Sequence, residues 1–443
     1  MGLTDLTNKK IALLGLGLEN YSLARWLLKH RINCRLTVLD ARSKRDLKKL
    51  PAEKINYVLG KNYDRGLTDY DIIVRAPGYP QKSEALVKAK SAGVKITSAI
   101  NLFFELCPTK NIIGVTGTKG KGTTASLIQH LLKKAGQKVF LGGNIGIAPF
   151  DFIDKLDKKS YAVLELSSFH LEDIEHSPHL AVVTNFYAEH LAPADPVNPN
   201  YHPSLKNYWS AKLKIAFFQN SGDFLIANQK LKARLKNSGL KSNIRYFGKA
   251  DLKSKLLGEH NKENVAAAVL AARLLKIKPA IIKRAVGDFK GLEHRLEPVK
   301  TVGGVKFYND SFATTPESSM LALKSFKEPI ILLCGGADKK SDFKKFAAAI
   351  KKRVKFVVLL NGRATPRIKK ELLKIKFPQN KMKLVFNVNQ AVHQAQNHAA
   401  AGEIILLSTG CASFGLFKNY KERGRLFKQA VKNLKNEKKK LFK

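Results

Sequence analysis

A glycine-rich segment that follows a short apolar run carries the strongest chemical signal in the sequence. Residues 114–124 read GVTGTKGKGTT, and helical spacing of apolar residues follows them. Glycines in such a turn expose backbone N–H groups to phosphate oxygens, the following helix adds the positive end of its dipole, and the lysine reaches the terminal phosphates. The segment therefore predicts a nucleoside triphosphate site formed by Gly117, Thr118, Lys119, Gly120, Lys121, Gly122, Thr123 and Thr124.

Two positions of this segment differ from the standard phosphate loop, GxxxxGK[ST]. Val115 stands where the first glycine would be, and Gly122 follows the lysine in place of a hydroxyl residue. Thr123 is then the nearest hydroxyl that can reach a Mg²⁺ ion on the phosphates. We therefore expect Thr123 to be a metal ligand.

A carboxylate ends another apolar run. Glu165 follows residues 161–164, which read YAVL. A carboxylate beside an apolar strand is costly unless something pairs with it, and the end of a strand next to a phosphate loop is a usual place for a Mg²⁺ ligand. Glu165 is therefore a second candidate ligand.

Three apolar runs, each followed by a glycine-bearing turn, indicate which elements position these residues. The runs are residues 11–14, 112–115 and 330–333. Helical spacing of apolar residues follows the first two runs. Strands that alternate with helices are typical of parallel sheets, so we predict an α/β fold.

The length of 443 residues fits about three domains. Pro108 cannot continue a helix, and a new strand pattern begins shortly after it, so we place a boundary there. A second boundary is placed near Pro298. The predicted domains are residues 1–107, 108–297 and 298–443.

The charge balance suggests a different class of protein. Lys and Arg number 79 against 35 Asp and Glu, a net charge of +44. Such an excess is typical of nucleic-acid-binding proteins, so a nucleic-acid-binding NTPase is one alternative. The excess is spread over all three predicted domains, which favours a general lysine bias and no specific nucleic-acid partner.

Cysteine spacing and apolar runs bear on the compartment. The four cysteines form no CxxC or CxxxC pair, which disfavours a zinc knuckle or redox motif and fits a reducing compartment. The first apolar run is too short for a signal peptide, and no stretch of about 18 apolar residues occurs. We therefore expect a cytoplasmic protein without a membrane span.

The first glycine turn resembles a dinucleotide site. Residues 15–17 read GLG, and Asp40 ends the next strand pattern at a suitable separation. The third glycine of the dinucleotide fingerprint is missing. A Rossmann-like domain with another ligand is therefore favoured.

The phosphate loop resembles that of the Mur ligase and folylpolyglutamate synthase superfamily. Further motifs occur in order along the chain and are similar to those of the branch that adds D-glutamate during peptidoglycan synthesis. They are GGNIG at 142–146, ELSSF at 165–169, Gly258 with His260 and Asn261, His294 with Arg295, NDS at 309–311, GGADK at 335–339 and CASF at 411–414.

This resemblance implies an ATP-dependent amide ligase. The carboxylate of UDP-N-acetylmuramoyl-L-alanine would take the γ-phosphoryl group of ATP to form an acyl phosphate, and the amine of D-glutamate would then displace phosphate. The resemblance also implies a Rossmann-like UDP-binding domain, a central ATP-binding domain and a Rossmann-like amino-acid-binding domain, in a monomeric enzyme with two Mg²⁺ sites.

The resemblance also assigns roles to individual residues. The catalytic residues would be Lys121, Glu165, His190 and Lys212, and the metal ligands would be Thr123, Glu165, His190 and a carbamylated Lys212. Asn261, Arg295 and Asp310 would join the phosphate loop in binding ATP. The UDP-substrate would contact Leu18, Glu19, Asp40, Arg42, Asn144 and Ser167. D-Glutamate would contact Thr314, Lys339, Ser413 and Tyr420.

Several positions depart from the pattern of that branch. Phe312 stands where a lysine is frequent, Glu189 replaces a common aspartate, and Tyr420 replaces a common phenylalanine. A Pro-rich stretch, residues 193–199, lengthens the chain after His190. These departures leave open a superfamily ligase with a different acceptor amino acid. A folate-type ligase is disfavoured because it would lack the UDP-binding domain.

Overall fold

The computed structural model describes residues 2–48, 50, 55–192, 199–338, 341–413 and 415–434. The chain divides into two compact units. The first covers the chain up to residue 253 together with residues 262–288, and the second covers residues 254–261 and the chain from residue 289 onward. The first unit contains two parallel sheets, and the second contains one mixed sheet.

The first sheet is formed by the N-terminal part of the first unit. Its five parallel strands lie in the order β3-β2-β1-β4-β5. The strands are β1 (Lys10–Leu14), β2 (Arg35–Asp40), β3 (Asn56–Leu59), β4 (Ile72–Arg75) and β5 (Lys95–Thr97), and the helices are α1 (Leu18–Lys29), α2 (Glu84–Ser91) and α3 (Ala99–Leu106). Because β1 lies between β2 and β4, its carboxyl end is at the switch point where such sheets bind ligands.

The second sheet has six parallel strands in the order β11-β10-β9-β6-β8-β7. These are β6 (Ile112–Thr116), β7 (Val139–Gly143), β8 (Tyr161–Glu165), β9 (Leu180–Val183), β10 (Phe224–Asn228) and β11 (Asn243–Phe247). The helices that follow in sequence are α4 (Lys121–Lys134), α5 (Leu205–Phe217), α6 (Lys232–Leu235), α7 (Glu259–Leu274) and α8 (Pro279–Asp288). Strands β6 and β9 are buried along their whole length, as expected for strands covered on both faces.

One hydrophobic core joins these two sheets. Phe103 on α3 is fully buried, and its ring centroid lies 6.2 Å from that of Phe150 and 5.6 Å from that of Phe152. Trp26 on α1 packs on Phe150 and donates from Nε1 to Oδ1 of Asp154 at 2.7 Å. The two sheets of the first unit are therefore fixed to each other by shared packing.

The second unit is built on a sheet with one antiparallel edge. Strands lie in the order β12-β13-β17-β14-β15-β16, and β12 runs antiparallel to β13. They are β12 (Glu297–Val302), β13 (Val305–Asn309), β14 (Ile330–Cys334), β15 (Val354–Leu360), β16 (Met382–Val385) and β17 (Ile404–Leu407). The helices are α9 (Pro316–Lys324), α10 (Lys344–Arg353), α11 (Thr365–Lys374), α12 (Val388–Asn397) and α13 (Tyr420–Asn433).

The sequence predictions of secondary structure and fold class are confirmed. The three apolar runs form β1, β6 and β14, and helices α1 and α4 follow the first two. In the part of the chain that the structure describes, no helix combines the length and apolar character needed to cross a bilayer. The two predicted domain boundaries remain predictions.

The shared core predicts a large stability cost for one substitution. Phe103→Ala removes a fully buried ring between the two sheets and should lower the free energy of unfolding by about 3–5 kcal/mol. The matched control Phe217→Ala, at a side chain 63% exposed, should cost less than about 0.5 kcal/mol. Urea unfolding, followed by tryptophan fluorescence, measures the free energy of unfolding of both variants. A loss in Phe103→Ala as small as that in Phe217→Ala would show that the two sheets do not depend on this core.

Candidate active site

The phosphate loop connects β6 to α4 in the middle of the second sheet. Gly117 has a φ of 139°, and Gly120, which precedes α4, has a φ of 82°. A Cβ at Gly117 would lie 2.0 Å from Oγ1 of Thr184, and one at Gly120 would lie 2.2 Å from Oδ1 of Asn264. Only glycine fits at these two positions, so the loop follows the tight path that a phosphate-binding turn requires.

Residues after β9 hold this loop from one side. The Oγ1 atom of Thr184 donates to the carbonyl of Lys119 at 2.7 Å. The Oδ1 atom of Asn185 accepts from the backbone N–H of Lys119 at 2.8 Å, and its main-chain carbonyl accepts from Thr118 N at 3.1 Å. Lys119 Nζ pairs with Glu189 at 2.5 Å, and Lys121 Nζ donates to the carbonyl of Thr118 at 3.0 Å. Both ammonium groups are therefore held at the loop.

The register of the second sheet puts Glu165 beside the loop. Val115 in β6 pairs with Glu165 in β8. The Glu165 side chain is buried, and its Oε1 accepts a hydrogen bond from Nδ2 of Asn144 at 2.9 Å. The hydroxyl of the neighbouring Thr116 is also buried and has no hydrogen-bond partner among the described residues. The polar atoms at this strand end are therefore suited to a bound polar ligand.

Lys212 reaches the loop from α5. Its side chain is 2% exposed, and Nζ donates to the carbonyl of Gly117 at 2.9 Å. The ammonium group also lies 4.5 Å from the centroid of the Tyr208 ring. Burial, followed by repulsion from Lys121, lowers the pKa of Lys212 well below its usual value, although Glu189 and Glu165 attract the charge. The loop, Glu165 and Lys212 therefore share one electrostatic environment.

His190 lies in the segment after β9, near the same residues. Its backbone has a φ of 59°, and its ring lies 5.2 Å from that of Phe169 and 5.8 Å from that of Tyr208. Burial lowers the pKa of His190, while the Glu189 carboxylate acts in the opposite direction. The imidazole is therefore available as a neutral ligand at neutral pH.

These residues suit a nucleotide with a divalent cation. Mg²⁺ prefers oxygen ligands and commonly bridges protein carboxylates and substrate phosphates. The Glu165 carboxylate ends β8, the Thr116 hydroxyl, which has no partner among the described residues, ends the neighbouring β6, and Thr123 lies in the first turn of α4. Lys119 and Lys121 add positive charge for phosphate. The donor set therefore fits Mg²⁺ held together with phosphate oxygens.

The residues predicted to contact the UDP-substrate form two groups in the first unit. The Asp40 carboxylate accepts from Leu16 N at 2.7 Å and pairs with Arg42 at 2.7 Å, while Arg42 also donates to the carbonyl of Leu16 at 3.0 Å. Burial opposes ionisation of Asp40, but the bonds from Arg42 and Leu16 outweigh it and lower its pKa. Leu18, two residues after Leu16, is exposed. This first group therefore lies at the turn after β1.

The second group lies at the turn after β8. Oε1 of Glu19 is 3.2 Å from Nε2 of His170, and Nδ1 of His170 accepts from Ser167 N at 3.2 Å. Asn144, which bonds Glu165, also belongs to this group. His170 therefore links the two sheets at the predicted substrate site.

The remaining predicted site residues lie in the second unit. The Arg295 guanidinium is 3.7 Å from the centroid of the Phe312 ring, which makes an edge contact with Tyr420 at 5.0 Å. The Nδ2 atom of Asn261 donates to the carbonyl of Leu257 at 2.7 Å. Thr314 is half-buried and Ser413 is buried, while Lys339 lies outside the described residues. Arg295 and Tyr420 are thus brought together through Phe312.

Asp310 is engaged inside the second unit. Its Oδ2 accepts from the Ser408 hydroxyl at 2.8 Å and its Oδ1 accepts from Leu296 N at 3.2 Å. Burial raises the pKa of Asp310 to about 7. The assignment of Asp310 to ATP therefore remains a prediction, since the observed contacts are internal.

Sequence reasoning missed a buried polar cluster beside the candidate site. Arg75 is 1% exposed and contacts Glu172 at 2.9 Å and Asp173 at 2.6 Å. Asn200 donates from Nδ2 to Glu172 at 3.0 Å, and Nδ1 of His202 lies 3.5 Å from the same carboxylate. The sequence around Asn200 and His202 carries no signal of this burial. Arg75 ends the apolar run of β4, so the reasoning that identified Glu165 would also have found it.

The phosphate loop yields a prediction with a matched control. Gly120→Ala should weaken nucleotide binding by at least about 100-fold, because the new methyl group, on the residue before α4, would collide with the Asn264 side chain of α7. Gly136→Ala, after the other end of α4, has a similar φ of 78° and no atom within 4 Å of the added Cβ. It should cost about 1 kcal/mol of stability and leave binding unchanged. Calorimetric titration with ATP and thermal melting test both; unaltered binding by Gly120→Ala would contradict the assignment.

Comparison with protein families gives three adjacent matches. The family model for the Mur ligase MurD-like N-terminal domain matches residues 9–98. The Mur ligase middle domain matches residues 115–251. The Mur ligase glutamate ligase domain matches residues 294–411. Together they cover most of the chain.

Individual proteins agree with these matches. A UDP-N-acetylmuramoylalanine--D-glutamate ligase from Acetivibrio thermocellus is 35% identical, over 97% of this chain and 97% of the relative. One from Clostridium acetobutylicum is 35% identical, over 97% and 98%. The crystal structure of a UDP-N-acetylmuramate-alanine ligase from Thermotoga maritima has the same fold, with a TM-score of 0.59 at 18% identity over 96% of this chain and 99% of that chain. The chain therefore belongs to the Mur ligase family.

Proposed function

We propose that this protein joins D-glutamate to UDP-N-acetylmuramoyl-L-alanine, with conversion of ATP to ADP and phosphate, in peptidoglycan synthesis. The observation that carries the proposal is the grouping of the phosphate loop, buried Glu165 and buried Lys212 at the carboxyl ends of the inner strands β6 and β8. The 35% identity to a D-glutamate ligase over nearly the whole chain supports the choice of acceptor.

The reaction needs two displacements. A carboxylate oxygen of the UDP-substrate attacks the γ-phosphorus of ATP, and the bond from that phosphorus to ADP breaks. The amine nitrogen of D-glutamate then attacks the carbonyl carbon of the acyl phosphate, phosphate leaves, and the nitrogen loses a proton. Both steps bring anions together, so the site must supply positive charge and exclude water.

The phosphate loop performs the first task. Residues 117–124 hold the nucleotide through backbone N–H groups and the positive end of α4. Lys119 and Lys121, both anchored at the loop, stabilise charge on the transferred phosphoryl group. A bound Mg²⁺ would supply further positive charge for the transferred phosphoryl group. We assign Thr123 and Glu165 to one Mg²⁺ ion, and His190 with Lys212 to a second.

Lys212 fits the second position only after a chemical change. An ammonium group repels a cation, whereas a carbamate formed from CO₂ offers an oxygen anion. The side chain is 2% exposed and its Nζ meets the loop carbonyl of Gly117. Only the neutral amine reacts with CO₂, and burial favours that form. We therefore assign a carbamate to Lys212.

The other predicted residues receive substrate roles. We assign Leu18, Glu19, Asp40, Arg42, Asn144 and Ser167 to the UDP-substrate, and Asn261, Arg295 and Asp310 to ATP. We assign Thr314, Lys339, Ser413 and Tyr420 to D-glutamate. Hydroxyl and cationic donors suit an amino acid with two carboxylates. We further propose that the enzyme acts as a monomer in the cytoplasm and has no specific nucleic-acid partner.

The first test measures ADP release with different acceptors. Purified protein, ATP, Mg²⁺ and UDP-N-acetylmuramoyl-L-alanine should release ADP when D-glutamate is added. Rates with L-glutamate or L-lysine should be at least about 100-fold lower. If ADP were released with another amino acid and not with D-glutamate, the acceptor would be that amino acid. ATP hydrolysis that depends on DNA or RNA and weakens with salt would favour the nucleic-acid alternative.

The second test addresses Lys212 directly. Lys212→Ala should lower kcat by at least about 100-fold, because it removes the assigned ligand of the second Mg²⁺, whose charge would stabilise the transition state. A short carboxylate such as formate or acetate should restore part of the activity by occupying the vacated space. Lys206→Ala, at an exposed lysine on the same helix, is the control and should be unaffected. Full activity of Lys212→Ala without additive would refute the assigned role.

A further inference from the structure

A buried histidine that has no role in the site described above lies next to it. His202 is 2% exposed, and its backbone N–H donates to the carbonyl of His190 at 2.8 Å. The two histidines thus lie side by side although eleven residues separate them in the chain. The contact fixes the main chain at His190, which has an uncommon positive φ.

The imidazole ring of His202 is held on three sides. Its Nε2 lies 2.9 Å from the hydroxyl oxygen of Ser168. Its face stacks on the Phe169 ring, with centroids 4.8 Å apart and planes 8° apart. Its Nδ1 lies 3.5 Å from Oε1 of Glu172. The ring therefore has one defined orientation.

The partners of this ring belong to the turn that follows Glu165. Ser168 is buried, and Ser167 and His170 of the same turn bond to each other through Ser167 Oγ and His170 N at 3.1 Å. Ser167 is assigned to the UDP-substrate, and Glu165 to Mg²⁺. The bond from His202 to Ser168 therefore acts on the residue that directly follows assigned Ser167, three residues after assigned Glu165.

The partners of His202 fit a fixed hydrogen-bonding role for the neutral ring. The neutral ring has one N–H and one acceptor nitrogen. With the N–H at Nδ1 toward the Glu172 carboxylate at 3.5 Å, Nε2 accepts a hydrogen bond from the Ser168 hydroxyl.

The segment that carries His202 is itself anchored. Asn200 is buried and donates from Nδ2 to the carbonyl of Pro77 at 2.9 Å and to Glu172 at 3.0 Å. Its backbone N–H donates to the carbonyl of Gly78 at 3.2 Å. Glu172 is in turn paired with buried Arg75. His202 is thus fixed to both sheets of the first unit.

We propose that His202 is a positioning residue of the ligase site, which fixes the Ser168 turn through its ring and the His190 main chain through its backbone. The proposal rests on the proposed function, because Glu165, Ser167 and His190 are assigned there. If His202 were needed only for packing, a phenyl ring in its place would serve equally well, since the stacking on Phe169 would remain. Loss of the ring nitrogens therefore distinguishes a hydrogen-bonding role from a packing role.

The test compares variants that separate packing from hydrogen bonding. His202→Phe keeps the stacked ring and removes the hydrogen bond to Ser168 and the contact of Nδ1 with Glu172. It should lower kcat about 10–100-fold, raise the Mg²⁺ concentration for half-maximal rate, and leave KM for D-glutamate within about twofold. His202→Gln, whose side-chain amide oxygen can reach the position of Nε2 and accept from the Ser168 hydroxyl, should recover activity to within about fivefold of the unmodified protein.

A double-mutant cycle with Ser168→Ala tests the assigned bond. Ser168→Ala should produce the same change in Mg²⁺ dependence, and Ser168→Ala with His202→Phe should be no worse than the more impaired single variant. His179→Phe, at a half-exposed histidine of the same unit, is the control. Thermal melting must show His202→Phe folded; if it is not, Ser168→Ala alone decides, because it removes only a hydroxyl group.

Calorimetric titration of ADP in the presence and absence of Mg²⁺ separates this proposal from the proposed function. Weaker Mg²⁺-dependent ADP binding by His202→Phe, with unchanged binding by His179→Phe, supports positioning even if D-glutamate proves to be the wrong acceptor. Unchanged kcat and unchanged Mg²⁺ dependence in both His202→Phe and Ser168→Ala would overturn it. Additive effects of the two substitutions would also overturn it, because the residues would then act separately.

Discussion

The pairing of β6 with β8 is the constraint on which the candidate site depends. It sets Val115 opposite Glu165, so the phosphate loop and a carboxylate leave the sheet as neighbours. The loop can keep its path only because Gly117 and Gly120 leave room for Thr184 and Asn264. Lys212 then reaches the carbonyl of Gly117 from α5. A shift in strand register would separate these groups, since alternate residues point to opposite faces.

The site residues that the sequence predicts without help from a family are those with local signals. The glycine spacing identified the phosphate loop, and the end of an apolar run identified Glu165. His190 and Lys212 have no local signal, because a lysine among 79 basic residues is ordinarily exposed. Their assignment came from the resemblance alone. What singles out Lys212 in the structure is its burial, which depends on residues far away in the chain.

Contacts between distant segments also explain what the sequence did not reveal. His202 and Asn200 follow a Pro-rich stretch that gave no reason to expect burial, yet both are fixed by partners in other segments. Phe312 appeared as a departure from a lysine, and its ring now lies under the Arg295 guanidinium. Asp40 was expected to contact substrate, and its carboxylate is bonded to Leu16 and Arg42. Partners of this kind are set by tertiary packing.

Each unit uses a buried arginine to fix the turns that carry its candidate residues. In the first unit Arg75 joins the end of β4 to Glu172 and Asp173 beyond the Ser168 turn. In the second, Arg423 is fully buried and donates to the hydroxyl of Ser311 at 3.0 Å and to the carbonyls of Ser311 and Cys411 at 2.7 and 3.2 Å.

Burial lowers the pKa of Arg423 to about 10, so it remains charged at neutral pH. A buried charge is tolerated only when its donors are satisfied, and removing one partner is costly. The bonds to Ser311 and Cys411 therefore fix the turns before Thr314 and Ser413. A planar group with five donors can satisfy several carbonyls at once, which a lysine cannot do. Turns that are fixed by protein groups lose less conformational entropy when a ligand binds than turns without such bonds.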